Sequence, residues 1–177
     1  MIPAILIAVG AIIAALIVIV TLQPAEFRIA RSTTIAAPPA VAFSQVNDFH
    51  NWDAWSPWAR LDPAARNSFE GAPAGTGAVF TWAGNKKVGE GRMTIMESRL
   101  PELIRIKLEF RKPFKATNVA EFTFTPQGDQ TLVTWAMSGQ KNLMFKAVHL
   151  LVNMDKMVGA DFEKGLAQMK TVVESKS

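Results

Sequence analysis

A long amphipathic stretch near the C-terminus constrains the fold of this chain most strongly. Its apolar residues recur at intervals of three and four: Leu151, Met154, Val158, Phe162, Leu166, Met169 and Val173. This spacing places them on one side of an α-helix, opposite the charged side chains Lys156, Glu163, Lys164 and Lys170. Burying an apolar side chain of this kind is worth roughly 1.5–3 kcal/mol. The run 143–173 therefore predicts a helix that packs on a surface made by the preceding chain.

Seven extended stretches precede this helix, and turn-like segments rich in Gly, Pro and Asn separate most of them. We place them at residues 27–35, 66–70, 78–83, 88–98, 102–111, 116–125 and 131–138. Apolar and charged residues alternate most regularly in 102–111, and the connections are short, so we expect antiparallel strands with one apolar face. A short helix is predicted over 39–49, because proline suits a first helical turn. This order predicts an α+β fold in which a curved antiparallel sheet of about seven strands wraps around the long C-terminal helix.

Several motifs add a family resemblance to this order of elements. They are A-P-P near residue 37, V-N-D-F-H-N-W (46–52), W-S-P-W (55–58), G-N-K-K-V-G-E-G (84–91) and M-D-K-M-V-G-A-D-F-E-K-G-L (154–166). With them, nearly all of the chain after residue 26 resembles the SRPBCC superfamily, the helix-grip fold of birch-pollen-allergen, lipid-transfer START and polyketide cyclase/dehydrase proteins. The resemblance implies a deep apolar cavity between sheet and helix that takes up hydrophobic molecules. The fold itself hosts many functions.

The first residues form a separate segment. Ile2–Leu22 contains no charged residue, and 21 residues at about 1.5 Å each make a rod of roughly 32 Å, which is enough to cross a bilayer. A cleaved signal peptide is the alternative, but no Lys or Arg precedes the run and no small-x-small site follows it. We therefore expect a single-pass membrane protein with an anchor at 1–23 and a helix-grip domain at 24–177. Arg28 and Arg31 follow the span, which favours the cytoplasmic side for the domain.

Composition excludes several kinds of site. The absence of cysteine excludes disulfides, thiolate metal sites and cysteine nucleophiles. The two histidines, His50 and His149, lie in different elements and form no H-x-x-x-H pair, and no phosphate-binding or nucleophile-elbow motif occurs. We expect no metal and no cofactor.

The predicted apolar face supplies the candidate ligand-binding residues. They are Trp55, Trp58, Phe80, Trp82, Met93, Leu108, Phe110, Phe124, Trp135, Met154, Val158 and Phe162. None of them titrates near neutral pH, whereas acid–base catalysis needs a titratable group within reach of the substrate. An enzyme would have to draw such a group from helices or loops, where the candidates are Asp53, Arg60, Asp155 and Asp161. Binding of an apolar molecule needs only an apolar cavity with a few polar contacts.

Basic residues are predicted to gather at one end of the sheet, since alternate turns of a meander lie at the same end. The predicted basic pole comprises Arg28, Arg31, Lys86, Lys87, Arg111, Lys112, Lys115, Lys141 and Lys146. The chain has a net charge of +4, and a basic surface beside an anionic leaflet is stabilising. Apart from Lys146 and His149, residues 143–152 are apolar around the whole helix. We expect this stretch to form a lid, to dip into the membrane interface, or to be buried against loops. A helix break is expected near Asn153.

These observations favour a membrane-anchored binding or carrier domain for a hydrophobic small molecule of lipid, isoprenoid or polycyclic type, with its entrance toward the membrane. A polyketide cyclase or dehydratase is one alternative, and a membrane-anchored protein-interaction module is another. We expect no nucleic-acid partner, because the basic cluster lacks a recognition helix.

Overall fold

The computed structural model describes residues 2–175, except the side chains at positions 2, 4, 8, 149 and 151. The predicted roles of Leu151 and His149 therefore lie outside the described side chains. The helices are α1 (Ile2–Leu22), α2 (Pro39–Asn47), α3 (Leu143–Leu151) and α4 (Met154–Glu174), with a 3₁₀ helix at Phe49–Ala54. The strands are β1 (Glu26–Ile35), β2 (Arg66–Gly71), β3 (Ala78–Ala83), β4 (Glu90–Arg99), β5 (Leu103–Lys112), β6 (Ala116–Gln127) and β7 (Gln130–Gln140).

The strands form one antiparallel sheet in the order β1-β7-β6-β5-β4-β3-β2. β1 pairs with β7 along its whole length, from Glu26 opposite Gln140 to Ile35 opposite Thr131. The segment between β1 and β2, which contains α2 and the 3₁₀ helix, crosses from one edge of the sheet to the other. All seven predicted strands are present with ends within two residues of the prediction, and the predicted α+β helix-grip fold is confirmed.

The apolar stripe of α4 lies on the concave face of the sheet. Phe162, Leu166, Met169 and Val173 are buried there, whereas Met154 and Val158 near the start of α4 are half-buried. At Gly165 an added Cβ would lie 2.9 Å from the ring of Trp135 and 3.0 Å from Pro57 Cδ. The glycine therefore lets α4 approach the sheet and the tryptophan-rich segment closely.

The predicted run 143–173 is two helices, and the expected break is confirmed at Val152 and Asn153. Each helix begins with an asparagine cap, a residue type preferred at this position. The Asn142 side chain accepts a hydrogen bond from Phe145 N at 2.9 Å, and the Asn153 side chain accepts one from Lys156 N, also at 2.9 Å.

The predicted helix over 39–49 ends earlier, because α2 stops at Asn47 and the chain turns into the 3₁₀ helix. Trp52 Nε1 donates to Val46 O and Trp55 Nε1 donates to Gln45 O, each at 3.1 Å. Carbonyl groups at a helix end need such external donors. Both tryptophans are buried, so the tryptophan-rich connector is part of the core.

α1 stands apart from this core. By length and composition it is the one helix within residues 2–175 that is long and apolar enough to cross a membrane, and a signal sequence shares both properties. Its last turn contacts α3, where Lys146 Nζ donates to Thr21 O at 3.1 Å.

Candidate ligand-binding site

The concave face has two ends with different packing. We call the end where β1 begins the α1 end; it also carries the β3–β4 turn, the β5–β6 turn and the end of β7. The opposite end, with the β4–β5 and β6–β7 turns, is the far end. The antiparallel registers fix this assignment, because they place Glu26 opposite Gln140, Gly139 opposite Asn118, Phe110 opposite Ala116, and Glu90 opposite both Lys112 and Ala83.

Aromatic side chains fill the middle of the concave face and the region under the tryptophan-rich segment. The Trp135 and Phe162 rings stack with centroids 4.1 Å apart and planes 9° apart, and Phe122 stacks on Trp135 at 4.9 Å. Trp55 and Trp58 each meet the ring of Trp135 edge-on at 5.7 Å. These side chains interlock as in an ordinary core. Toward the far end, Phe124 packs edge-on against Phe43 at 5.4 Å.

Toward the α1 end, the inward-facing apolar side chains are only partly covered. Half-buried there are Phe27, Phe80, Trp82, Leu108, Phe110, Met154 and Val158. Trp82 lies 6.0 Å from both the Phe80 and Phe110 rings, stacked on the former and edge-on to the latter. The twelve predicted ligand-binding residues thus divide in two. Trp55, Met93, Phe124, Trp135 and Phe162 are buried, whereas Trp58 and the other six, which lie toward the α1 end, have surface left to contact a molecule.

Two grooves open at the α1 end. One, of about 560 Å³, runs between the start of β1 and the junction of α3 with α4. Its lining is mixed: the apolar side chains include Phe27, Ile29, Leu150, Val152 and Met154, and the charged ones are Glu26, Arg28, Lys141 and Asp155. The other, also about 560 Å³, crosses the strand ends of β1, β7 and β6 and is lined in part by Phe27, Asn118 and Gly139. Phe27 borders both grooves.

Asn118 and Phe27 were not among the predicted site residues. Asn118 is a buried polar residue on the inward face of β6, and its Nδ2 lies 3.7 Å from Met137 Sδ. The signal for both was available in the strand alternation. Asn118 is two residues before the inward Ala120, and Phe27 is two before the inward Ile29.

An ion-pair cluster joins β1 to the first turns of α4. Arg31 Nε donates to Glu163 Oε1 at 2.7 Å, and its Nη2 donates to Asp155 Oδ2 at 3.0 Å and to Asp155 O at 3.1 Å. An added Cβ at Gly159 would collide with the guanidinium, so the glycine makes room for it. Hydrogen bonds to Asp155 and Glu163 raise the pKa of Arg31, and the hydrogen bond from Arg31 lowers the pKa of Asp155.

This cluster changes how two predicted residues are interpreted. Arg31 faces α4 between the carboxylates of Asp155 and Glu163, which neutralise its charge. It is therefore not one of the exposed cations of the basic pole. Asp155 is held as a carboxylate by the same contacts. Among the other catalytic candidates, Asp53 is exposed in the 3₁₀ helix and Asp161 is half-exposed on α4. None of the three carboxylates lies among the inward-facing side chains of the strands.

The remaining predicted basic residues lie on the turns and strand ends at the α1 end. Lys86, Lys87, Arg111, Lys112 and Lys115 are exposed, whereas Lys141, just before α3, and Lys146, within α3, are half-buried. Lys112 pairs with Glu90 at 2.7 Å, and Arg28 on the outer face lies 3.6 Å from Glu121.

The described residues contain no group of three or more His, Asp or Glu side chains placed to hold a metal ion. His50 is on the surface, where its Nδ1 lies 2.7 Å from Asp48 Oδ1 and its ring stacks on Phe69.

Solved structures with the same fold have little sequence in common with this chain. Protein MLL2253 from Mesorhizobium loti is 14% identical with a TM-score of 0.62, covering 85% of this chain and 99% of its own. The major latex-like protein 151 of Panax ginseng is 13% identical with a TM-score of 0.61 and the same two coverages. The di-domain ARO/CYC protein BexL from the BE-7585A biosynthetic pathway is 12% identical with a TM-score of 0.59, covering 88% of this chain and 52% of its own.

No curated protein matches the sequence significantly. The family described as polyketide cyclase / dehydrase and lipid transport matches residues 26–174, from the first strand to the end of α4. The predicted SRPBCC resemblance is thereby confirmed, and the chain belongs to this polyketide cyclase/dehydrase and lipid-transport family.

Proposed function

We propose that this domain binds a hydrophobic small molecule of lipid, isoprenoid or polycyclic type between the sheet and the first half of α4, and that it carries or presents the molecule without transforming it. One observation carries the proposal. Inward-facing apolar side chains are fully buried under the tryptophan-rich segment, whereas several at the α1 end are only partly buried. A contiguous apolar surface of this kind is unfavourable in water and is typical of a binding site.

The chemistry of this surface supports binding over catalysis. The side chains that form this surface are aromatic or aliphatic, and Asn118 supplies an uncharged polar contact beside them. Two of the charged groups at this end, Arg31 and Asp155, are engaged with each other. Acid–base chemistry needs a titratable group free to reach the substrate, and these two are not free.

Membrane attachment completes the proposal. α1 serves as the anchor (1–23), and the domain (24–177) is held with its α1 end, and hence the ligand entrance, toward the bilayer. The basic pole favours an anionic leaflet by about 1 kcal/mol for each Lys or Arg near the surface. Arg28, directly after the span, favours the cytoplasmic side.

The test is recovery of the ligand from the full-length protein purified in detergent, by native mass spectrometry and solvent extraction. Val158→Trp inserts a large side chain into the half-exposed region and should abolish recovery. Met157→Trp is the matched control, since Met157 is the neighbouring residue and is 51% exposed; it should retain the ligand.

Both variants should keep the Tm of the parent protein within a few degrees. Recovery of no apolar molecule from the parent, or equal recovery from both variants, contradicts the binding site. Conversion of the recovered molecule by the purified protein contradicts the carrier role.

A further inference from the structure

Helix α3 carries an exposed face made only of apolar residues. Leu143, Met144, Ala147 and Val148 follow one another at the spacing of a single helix face, and Leu150 extends it. Leu143 is 58% exposed, Met144 63% and Val148 41%. A helix on the surface of a soluble domain usually turns its polar side outward. α3 does the reverse.

A neighbouring turn continues this apolar face. Phe114, in the β5–β6 turn, is 59% exposed, and its ring meets the Phe145 ring edge-on with centroids 6.5 Å apart. The contact joins the tip of the sheet to α3. We call the exposed apolar residues of α3, together with Phe114 beside Phe145, the α3 patch.

The contact between α3 and α1 indicates the depth at which the α3 patch lies relative to a bilayer. Lys146 in the middle of α3 donates to the carbonyl oxygen of Thr21, in the last turn of α1. If α1 crosses the bilayer over its 21 residues, Thr21 lies where the hydrocarbon meets the headgroups. The hydrogen bond then puts α3 at the same depth.

The charge around the patch matches an anionic surface. Lys115, Lys141 and Lys146 flank it, with Lys112 paired to Glu90 beside them, and the segments 111–116 and 139–151 contain no acidic residue. Interfacial helices combine an apolar face in the acyl chains with flanking Lys or Arg among the headgroups. An exposed apolar face for a protein partner would not need this basic surround.

We infer that the α3 patch is a membrane-binding surface that rests in the interface of an anionic lipid bilayer. The inference rests on the proposed role of α1 as a membrane span and deepens the proposed function. The groove between β1 and the α3–α4 junction is lined by Leu150 and Val152, so docking of α3 brings its mouth to the acyl chains. A ligand then reaches the domain from the lipid without crossing water.

The chain has no cysteine, so one introduced cysteine carries a unique fluorescent label. Met144→Cys and Phe114→Cys report on the α3 patch. Leu100→Cys is the matched control, because Leu100 is 69% exposed in the β4–β5 turn at the far end. Each full-length variant is labelled with an environment-sensitive dye and reconstituted into vesicles of phosphatidylcholine and phosphatidylglycerol, with or without nitroxide groups near the top of the acyl chains.

In vesicles, the emission maxima of the labels at positions 144 and 114 should shift to the blue. With the nitroxide lipids these two labels should lose most of their fluorescence intensity, whereas the label at position 100 should show neither change. A Tm equal to that of the parent confirms that each variant is folded. Quenching at 144 no greater than at 100 overturns the inference, as does equal quenching at all three positions. If the label at 144 is unquenched while an apolar ligand is still recovered from the protein, only the inference about α3 fails. If the label at 144 is quenched but no apolar ligand is recovered from the protein, the inference about α3 stands and the proposed function fails.

Discussion

At Arg31, β1 and α4 are joined by charged groups whose contribution to stability depends on pH. The contacts with Asp155 and Glu163 link residues far apart in the chain, and the Asp155 carboxyl has a pKa below its ordinary value because Arg31 donates to it. The cluster sits beside the half-exposed end of the concave face. The cluster therefore fixes the position of the first turns of α4, which carry Met154 and Val158.

Asp155→Asn should lower the Tm at neutral pH by about 1–3 °C, a small effect because the pair is exposed to solvent. A carboxyl whose pKa is lowered by folding stabilises the protein above its unfolded-state pKa of about 4, and this stabilisation is lost as the pH falls through the folded-state pKa. The difference in Tm between parent and variant should therefore shrink toward zero below about pH 4.

The measurement is thermal unfolding followed by tryptophan fluorescence at several pH values. Asp161→Asn is the control on the same helix, since the described residues give Asp161 no ion pair. If the difference in Tm between the parent protein and Asp155→Asn is the same at acidic and neutral pH, the charge of Asp155 does not act through Arg31.

Arg31 also shows what the sequence can and cannot predict about single residues. Its inward direction follows from alternation with Ile29 and Ile35, so its place on the inner face was predictable. Its partners lie 124 and 132 positions further along the chain. No local pattern indicates a pairing over that distance, and the sequence therefore suggested a membrane-facing charge.

At the scale of elements, the junction between α3 and α4 separates a helix of the core from a helix outside it. α4 contributes Phe162, Leu166, Met169 and Val173 to the core, whereas no described side chain of α3 belongs to it. The two asparagine caps make the same side-chain hydrogen bond, at 2.9 Å in each helix. Removing them should have different energetic consequences, because only α4 has described side chains in the core of the sheet.

Asn153→Ala removes the cap of α4 and should lower the Tm by about 2–4 °C, the shift expected for about 1 kcal/mol in a domain of this size. Asn153→Asp should restore it, because aspartate caps helices equally well. Asn142→Ala, the matched change in α3, should alter the Tm much less. Equal losses for the two alanine variants would mean that α3 is part of the cooperative core.

Element boundaries were largely predictable from the sequence, and the exceptions have physical causes. The length of the run 143–173, and its change from an apolar stretch at 143–152 to an amphipathic one, indicated the break near Asn153. The early end of α2 was not indicated, because Trp52 and Trp55 supply the donors for its last carbonyls from outside the helix. Such tertiary hydrogen bonds override local helix preference.

At the scale of the whole molecule, the sheet and α4 enclose a core that is filled under the tryptophan-rich segment and open beside α1. The alternation of strands predicted which side chains face inward. It could not predict which of them remain exposed, because this depends on how the volumes of Trp135, Phe162 and their neighbours fit together. The partly buried apolar side chains, the basic pole and the α3 patch all lie at the α1 end.

The most direct measurement of this arrangement is photolabelling of the full-length protein with a diazirine fatty acid, followed by peptide mass spectrometry. We expect modified residues on the inner face of β3, on Leu108 and Phe110 of β5, and on the first turns of α4, with labelling reduced by excess unmodified fatty acid. Labels confined to α1, α3 and the outer face of the sheet would contradict an apolar ligand site between sheet and helix.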